Sequence, residues 1–245
     1  MQCNVAVISG TGVGRRLEAL GGRAVHVPTS EGQMAGVFME QGAHQVLVLQ
    51  RHGSGHRTPP HRVNYKAMAL GLRHLGIRYC LSTAAVGSLR LEWGPGTLIA
   101  CSDFIDLTGR FPTLFEREVI HTDFTEPFSS KSRQAILNCA ESIGLAVCPE
   151  GVYVGGNGPR YETPAEIRMM QKLGGDMVGM TATSEAILMR EAGIQYACLA
   201  VVTNLAAGLG NAELTHGEVV DVMECNADSI VSLLLAAAER LNRGD

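Results

Sequence analysis

The sequence predicts an α/β fold with a central mixed, largely parallel sheet flanked by helices. Short apolar runs alternate with amphipathic stretches along the whole chain, which is the pattern of alternating strands and helices. Glycine-rich and polar motifs follow several of the apolar runs. Ligands in such folds bind beyond the carboxyl ends of the strands, so these motifs form the candidate site. With 245 residues, 46% of them hydrophobic, the chain is predicted to form a single domain over residues 1–245.

The individual elements follow from the length and spacing of the apolar residues. Six short apolar runs are predicted as buried strands: Val5–Ile8, Gln45–Leu49, Tyr79–Ser82, Thr97–Cys101, Met177–Met180 and Tyr196–Val202. Five longer amphipathic stretches are predicted as helices: Val63–Leu75, Lys131–Ile143, Pro164–Lys172, Ser184–Glu191 and Glu218–Leu241. Pro164 suits a first helical turn, where the N–H that proline lacks would have no partner.

Composition excludes several classes of partner. The net charge is -4 and no run of basic residues occurs, so we expect no nucleic acid partner. The first seven residues lack the features of a secretory signal, and no apolar stretch approaches the about 20 residues that a membrane span needs. The seven cysteines are scattered and form no C-x-x-C pair, which favours reduced thiols. We therefore expect a cytoplasmic protein without a membrane partner.

The first motif, Ser9–Gly14, follows the first predicted strand directly. Its glycines would let the backbone approach an anion closely, and the hydroxyl of Thr11 adds a donor. A dinucleotide-binding loop and a plain tight turn are the alternatives. The glycine spacing is not G-x-G-x-x-G and no Walker lysine is present, so the motif by itself leaves the ligand open.

The second motif, Arg51–His56, follows the second predicted strand. Arg51 could grip a phosphate with two N–H groups, and His52 could add a donor. A metal site is the alternative because His52 and His56 are four residues apart. A zinc site of that spacing needs both on one helix face, whereas glycines between them and prolines after them argue against a helix. We therefore expect no metal; solvated loop residues remain the other reading.

Three further motifs carry groups suited to a purine. Tyr161 could stack on a flat base, and the carboxylate of the adjacent Glu162 could accept the N1–H of a 6-oxopurine, although the pair could also simply lead into a helix. Thr181 follows the strand that ends near Met180. Asn204 ends the last predicted strand and offers a donor and an acceptor, which could bond O6 and N7 of a purine together.

Taken together, these residues resemble the family of trimeric purine nucleoside phosphorylases and methylthioadenosine phosphorylases. The resemblance covers nearly the whole chain, and the order and spacing of the motifs make it specific. The motifs are SGTG (Ser9–Gly12), RHGSGH (Arg51–His56), VNY (Val63–Tyr65), AVGSL (Ala85–Leu89), DFID (Asp103–Asp106), HTDFTEPF (His121–Phe128), GPRYETPAE (Gly158–Glu166), GMT (Gly179–Thr181) with Glu185, and TN (Thr203–Asn204).

The resemblance implies a nucleoside-phosphorylase fold and a homotrimer whose active sites lie at subunit interfaces. It implies no metal and no organic cofactor, with inorganic phosphate as a co-substrate. It assigns phosphate binding to Thr11, Arg51, His52, the Ala85 backbone and Thr181. It assigns ribose and base binding to Met180, Tyr161, Glu162, Asn204 and His216, with His121 supplied by a neighbouring subunit. Asn204 and Glu162 would be the catalytic pair.

Departures from the family pattern bear on the substrate. Adenine-specific methylthioadenosine phosphorylases carry two Asp residues around the position of Asn204 and Ser at that of Glu162, so this chain resembles the 6-oxopurine branch. Ala84 replaces a residue that is usually polar, which removes one expected contact. Two interpretations of His216 remain open. It aligns with the histidine that binds a 5′-hydroxyl in ordinary purine nucleoside phosphorylases, or it simply lies near the start of the last helix.

The predicted reaction is phosphorolysis of a purine nucleoside, with 5′-methylthioinosine or inosine favoured. An alternative is a methylthioadenosine phosphorylase with an atypical base pocket. A nucleotide-binding module without chemistry and a hydrolase that uses water are the less favoured readings. The Arg51, His52 and Thr181 set argues against the hydrolase, because water needs no such anion grip.

Overall fold

A computed structural model describes residues 3–53, 55–210 and 215–244. Its strands are β1 (Val5–Ser9), β2 (Arg23–Thr29), β3 (Gly32–Gln41), β4 (His44–Gln50), β5 (Tyr79–Ser88), β6 (Leu98–Ala100), β7 (Asp103–Asp106), β8 (Val152–Gly155), β9 (Met177–Gly179) and β10 (Gln195–Leu205). Its helices are α1 (Gly14–Ala19), α2 (Tyr65–His74), α3 (Ser130–Ser142), α4 (Pro164–Lys172), α5 (Ala182–Glu191) and α6 (His216–Arg243), with a 3₁₀ turn at Pro60–Arg62.

The ten strands of the described residues form one mixed sheet. The main path runs β2-β3-β4-β1-β5-β9-β8-β7, and β10 pairs with both β5 and β6. Strand β1 is parallel to β4 and β5, and β5 is parallel to β10. Hairpin pairings at one edge and the β5–β9 and β10–β6 pairs are antiparallel. The predicted fold class, a mixed and largely parallel sheet with flanking helices, is confirmed.

Helices cover both faces of the sheet, which explains why the central strands read as continuous apolar runs. In β1, Ala6 and Ile8 pack into one core with residues of α2 and α5. Val5 and Val7 point to the opposite face and pack with residues of α3 and α6. This alternation fixes β1 between two layers, so its carboxyl end at Ser9 emerges at the edge where the glycine loop begins.

All six predicted strands and all five predicted helices are present, with shifted ends. The largest shifts are in β5 and β10, which run six and three residues past the predicted ends at Ser82 and Val202. The two strands pair with each other from Tyr79↔Gln195 to Ser88↔Leu205, so each added residue except Thr203 gains a ladder partner. As a consequence Ala85 and Asn204 lie inside strands and not in the loops beyond them.

No helix among residues 3–53, 55–210 and 215–244 has a stretch long and apolar enough to cross a bilayer. Helix α6 comes nearest in length, with 28 residues, but acidic and basic residues interrupt its apolar stripe. Its buried positions, including Met223, Ile230 and Leu234, pack against the sheet.

Candidate active site

A cavity of about 310 Å³ lies where the ends of β1, β4, β5, β9 and β10 converge. It is lined by most of the residues that the sequence singled out. These are Thr11, Arg51, His52, Ala84, Ala85, Tyr161, Glu162, Met180, Thr181, Thr203, Asn204 and His216. The lining also includes His56, Pro60, Gly87 and Pro159, to which the sequence analysis assigned no role.

Arg51 is the buried cation of the cavity wall. Its Nε donates to Oε1 of Glu185, and its Nη2 donates to Oε2 at 2.8 Å, so the pair is bidentate. Its Nη1 donates to the carbonyl of Thr83 at 2.9 Å. Both members of the ion pair are buried, and the neighbouring carboxylate of Glu185 holds the pKa of Arg51 above its ordinary value despite burial. Of the five N–H groups of the guanidinium, two remain beyond these three bonds and can meet an anion in the cavity.

Glu185 is in turn held by a second buried group. The hydroxyl of Tyr196 donates to Oε2 of Glu185 at 2.7 Å, and it lies 2.6 Å from the hydroxyl of Ser82. Both oxygens of the carboxylate are therefore held by hydrogen bonds, and the carboxylate fixes the plane of the guanidinium. A phosphate bound here would meet a cation whose position is set before the ligand arrives.

Three imidazoles stand together in the cavity wall. The ring centroids of His52 and His56 are 4.3 Å apart, and those of His56 and His216 are 5.6 Å apart in a stacked arrangement. Burial, reinforced by the charge of Arg51, lowers the pKa of His52 to about 4. Burial, with His216 nearby, also lowers the pKa of His56. Both rings are therefore neutral at physiological pH.

The tautomer of His52 refines the role that the sequence suggested. Its Nδ1 lies 2.8 Å from the carbonyl oxygen of Thr58. A carbonyl only accepts, so in the neutral ring the hydrogen sits on Nδ1 and Nε2 is an acceptor. Nε2 of His52 would thus accept a hydrogen bond from a protonated phosphate oxygen. This nitrogen becomes a donor only when the ring is protonated.

Thr181 joins the cavity at the start of α5. The hydroxyl of Tyr153, a fully buried residue, accepts from the backbone N–H groups of Thr181 and Ala182 at 3.2 and 3.4 Å. The Thr181 side chain makes no capping bond to the helix. Its hydroxyl is therefore available to the cavity that it lines.

A β-bulge turns Asn204 into the cavity. The β5–β10 register is regular to Val202↔Val86 and resumes at Asn204↔Gly87, so Thr203 is the extra residue. Gly87 leaves room for the amide, because a Cβ there would lie 3.3 Å from Nδ2 of Asn204. The amide donates to the Leu205 carbonyl at 2.9 Å and accepts from the Thr203 hydroxyl at 2.8 Å. One N–H and one lone pair of the amide remain for a ligand.

Glu162 and Tyr161 enter the cavity from the loop between β8 and α4. Thr163 caps α4 and forms a capping box with Glu166, which fixes the end of that loop. Gly156 makes space for Glu162, since a Cβ at residue 156 would lie 2.5 Å from Oε1. Burial raises the pKa of Glu162 above its ordinary value. The carboxyl is thus partly desolvated, as a group that recognises a ligand N–H would be.

One sequence-predicted site residue, His121, stands apart from this wall. His121 is exposed and does not line the cavity of its own chain. It lies in an irregular segment between β7 and α3 that also exposes Phe111 and Val119. Part of the segment before His216, residues 211–214, lies outside the described residues, as does Ser54 of the second motif. His216 itself begins α6 and lines the cavity.

Among the described residues, no cluster of three or more histidine, cysteine or acidic side chains is placed to hold a metal ion. Of the three imidazoles of the wall, His56 and His216 are stacked, and the rings of His52 and His56 are tilted by 41°.

Comparison with known proteins places the chain in a family. The model of the phosphorylase superfamily matches residues 4–239. The chain belongs to this superfamily. A Pyrococcus furiosus protein named 6-oxopurine nucleoside phosphorylase is 42% identical over 242 residues, covering 95% of this chain and 91% of the relative. A Methanopyrus kandleri protein named probable S-methyl-5′-thioinosine phosphorylase is 42% identical over 222 residues, covering 90% and 86%.

Solved structures give the same family. A mutant of the adenosine/methylthioadenosine phosphorylase of Schistosoma mansoni, in complex with methylthioadenosine, has a TM-score of 0.93 and 30% identity. It covers 100% of this chain, which covers 93% of it. The methylthioadenosine phosphorylase of the same organism in complex with adenine also has a TM-score of 0.93, with 29% identity. The family predicted from the motifs is therefore confirmed for this phosphorylase.

Proposed function

We propose that this phosphorylase transfers the ribosyl or 5-methylthioribosyl group of a purine nucleoside to inorganic phosphate and favours 6-oxopurines. One observation carries the proposal. A single cavity is lined by a buried arginine suited to an anion and by a Glu–Asn pair suited to a 6-oxopurine. The names of relatives that are 42% identical, a 6-oxopurine nucleoside phosphorylase and a probable methylthioinosine phosphorylase, support the same reaction.

Phosphate is assigned to Thr11, Arg51, His52, the backbone of Ala85 and Thr181. Arg51 supplies the fixed positive charge, and Thr181 supplies a hydroxyl from the start of α5. Neutral His52 accepts from a phosphate O–H and so selects the orientation of a protonated anion. Ala84 adds no polar group to this wall, so the Ala85 N–H is the contact that β5 provides.

The purine is assigned to Glu162, Asn204 and Tyr161. The Glu162 carboxylate accepts the N1–H of a 6-oxopurine, whereas it would repel the unprotonated N1 of adenine. Asn204 donates to O6 and accepts from N7–H of the leaving purine. Tyr161 packs on the base and Met180 packs on the ribose. The relatives' names and these side chains agree on the 6-oxopurine class.

Catalysis follows from charge stabilisation and positioning. The glycosidic bond lengthens first, which leaves positive charge on the sugar and negative charge on the purine. Phosphate held beside Arg51 favours the cationic sugar and then attacks its anomeric carbon as the C–N bond breaks, while the Asn204 amide donates to O6 of the purine anion. The proton that the phosphate gives up on forming the new C–O bond is taken up by the purine at N7, and this N7–H donates to the amide oxygen of Asn204. The products are the free purine and ribose 1-phosphate, or its 5-methylthio form. The buried, preformed Arg51–Glu185 pair requires little reorganisation during the reaction.

The proposed enzyme is a homotrimer that works in the cytoplasm without a cofactor. The enzyme acts as a homotrimer in which His121 of one subunit closes the 5′ side of a neighbour's ribose pocket, opposite His216. Phosphate is the only co-substrate, and neither a metal nor an organic cofactor takes part. The chain works as a single domain in the cytoplasm, where its seven free cysteines stay reduced.

The deciding experiment is base release from inosine, 5′-methylthioinosine and 5′-methylthioadenosine, each with and without phosphate. We expect phosphate-dependent release of hypoxanthine, with the adenine substrate poor. Full release without phosphate would instead indicate a hydrolase, and no release with NAD binding would indicate a binding module. Preference for methylthioadenosine would keep the reaction but overturn the assignment of Glu162 and Asn204; the adenine complex of the Schistosoma neighbour gives that outcome weight.

A further inference from the structure

Arg110 contacts three separate segments that carry residues of the cavity wall, although neither Arg110 nor its three partners line the cavity. It lies in the segment after β7 and is half-buried. Its Nε donates to Oδ1 of Asn157 at 2.9 Å, and its Nη2 donates to the Asn157 carbonyl. Its Nη1 donates to the hydroxyls of Tyr65 at 3.2 Å and Ser184 at 3.1 Å. One guanidinium therefore joins the β8–α4 loop, α2 and α5.

Each partner leads directly to residues of the cavity. Asn157 precedes Pro159, Tyr161 and Glu162 on the β8–α4 loop, and all three line the cavity. Ser184 lies on the first turn of α5, one residue before Glu185. Through Asn157 and Ser184, Arg110 sets the distance between the loop that meets the base and the helix that meets the phosphate.

Tyr65 extends the connection to a third part of the wall. Its hydroxyl accepts from Arg110 and donates to the carbonyl of Pro60 at 2.8 Å, and Pro60 lines the cavity. Burial and the charge of Glu185 raise the pKa of Tyr65 to about 12, so the hydroxyl keeps the proton that it donates. The Arg110 guanidinium also lies over the Tyr65 ring, 5.5 Å from its centroid. This gives the VNY motif a structural role.

We infer that Arg110 is a positioning residue for base recognition, which holds the Tyr161–Glu162 loop at a fixed distance from the phosphate-binding helix. The inference rests on the proposed function. The planar guanidinium is required because only a fork of donors can reach Asn157, Tyr65 and Ser184 at once. The phosphate contacts do not depend on it, since α5 is held independently by the buried Arg51–Glu185 pair.

The test compares Arg110→Met and Arg110→Lys with a matched control, Arg73→Met, which removes an exposed arginine of α2, outside this segment and outside the cavity lining. We expect Arg110→Met to raise the KM for inosine about tenfold, as the loss of a bond to a charged group would. We expect it also to lower the ratio of inosine to adenosine kcat/KM and to change the KM for phosphate less than about twofold. Arg110→Lys should recover part of both effects, and Arg73→Met should behave as the parent.

The outcomes separate this inference from the proposed function. A parent enzyme without phosphate-dependent base release would overturn both. If the parent is active but the Arg110→Met variant keeps the inosine KM and the inosine-to-adenosine ratio of kcat/KM, the inference alone is overturned. Equal increases in the KM for inosine and the KM for phosphate would overturn it as well. If Arg110→Met does not fold, Asn157→Ala removes one acceptor only, and it must lower the base ratio without changing the phosphate KM for the inference to hold.

Discussion

Asn204 is the residue whose removal should affect turnover most. Its amide is oriented by Thr203 and by the carbonyl of Leu205 before any ligand binds, so it stabilises the purine anion without reorganisation. We expect Asn204→Ala to lower kcat about 100- to 1000-fold, since a preorganised donor is worth roughly 2.7–4 kcal/mol. The KM for phosphate should barely change. Steady-state kinetics with inosine test this, and near-normal turnover would remove Asn204 from catalysis.

Glu162 should give the enzyme a base-dependent pH profile. Burial raises the pKa of this carboxyl, so it loses its charge at a higher pH than an ordinary glutamate as the solution is acidified. An ionised carboxylate accepts from N1–H of inosine, whereas a protonated carboxyl can donate to N1 of adenosine. The inosine-to-adenosine ratio of kcat/KM should therefore fall as pH falls below neutrality.

The ratio is the useful measurement because both nucleosides share the same phosphate and the same histidines. Glu162→Gln has no ionisation at this position, so its ratio should be low and independent of pH. A parent ratio that stays constant from neutral to acidic pH would show that Glu162 does not read N1 of the base.

At the residue scale, sequence analysis identified the side chains of the site but not the directions of their hydrogen bonds. The motifs identified Arg51, His52 and Asn204, which follow apolar runs, and Glu162, which lies beside an aromatic residue in a glycine-rich loop. Their hydrogen-bond directions came from distant partners, such as the Thr58 carbonyl that makes His52 an acceptor. The sequence suggested for His56 only the role of a metal ligand. Its position between the rings of His52 and His216 depends on where α6 begins.

Strand β4 and helix α5 are joined mainly through one buried ion pair, Arg51–Glu185. Glu185→Gln would leave the Arg51 charge buried without a counter-charge, and breaking such a pair costs about 3–5 kcal/mol. Glu92→Gln is the matched control, because Glu92 pairs with Arg90 on the exposed surface, where solvent screens the two charges and the pair contributes little to stability. Urea denaturation gives both free energies of unfolding, and equal losses would contradict the structural role of the pair.

Three of the four strands that sequence analysis missed are incompletely buried, whereas the fourth, β8, is short and largely buried. Strand β2 is mostly exposed, and β3 buries only Met34 and Met39 although its sequence from Met34 to Met39 is apolar. They form because they pair with each other as a hairpin. Strand β7 is likewise half-exposed and exists through its pairing with β8. Extension of β10 past Val202 required knowing its partner β5, which no local pattern contains.

At the scale of the whole molecule, the segment between β7 and α3 is the feature that a single subunit does not explain. It displays Phe111, Val119 and Ile120 to solvent, with 87%, 90% and 47% of their surfaces exposed. It is nevertheless fixed from beneath, because Glu191 accepts from Thr113 at 3.0 Å and the side chain of Arg190 donates to the Asp123 carbonyl at 3.0 Å. An ordered segment that exposes apolar side chains fits a contact with another copy of the chain.

The proposed trimer therefore makes activity depend on this segment. Val119→Asp would place a charge in an apolar contact, so we expect sedimentation to show loss of the trimer together with loss of activity. The control is Leu91→Asp, which places the same charge at an exposed apolar residue outside this segment. It should leave the trimer and the activity unchanged. His121→Ala should keep the trimer and raise the nucleoside KM about tenfold without altering the phosphate KM. If the Val119→Asp variant is monomeric but fully active, each subunit completes its own pocket and His121 has no part in the neighbour's site.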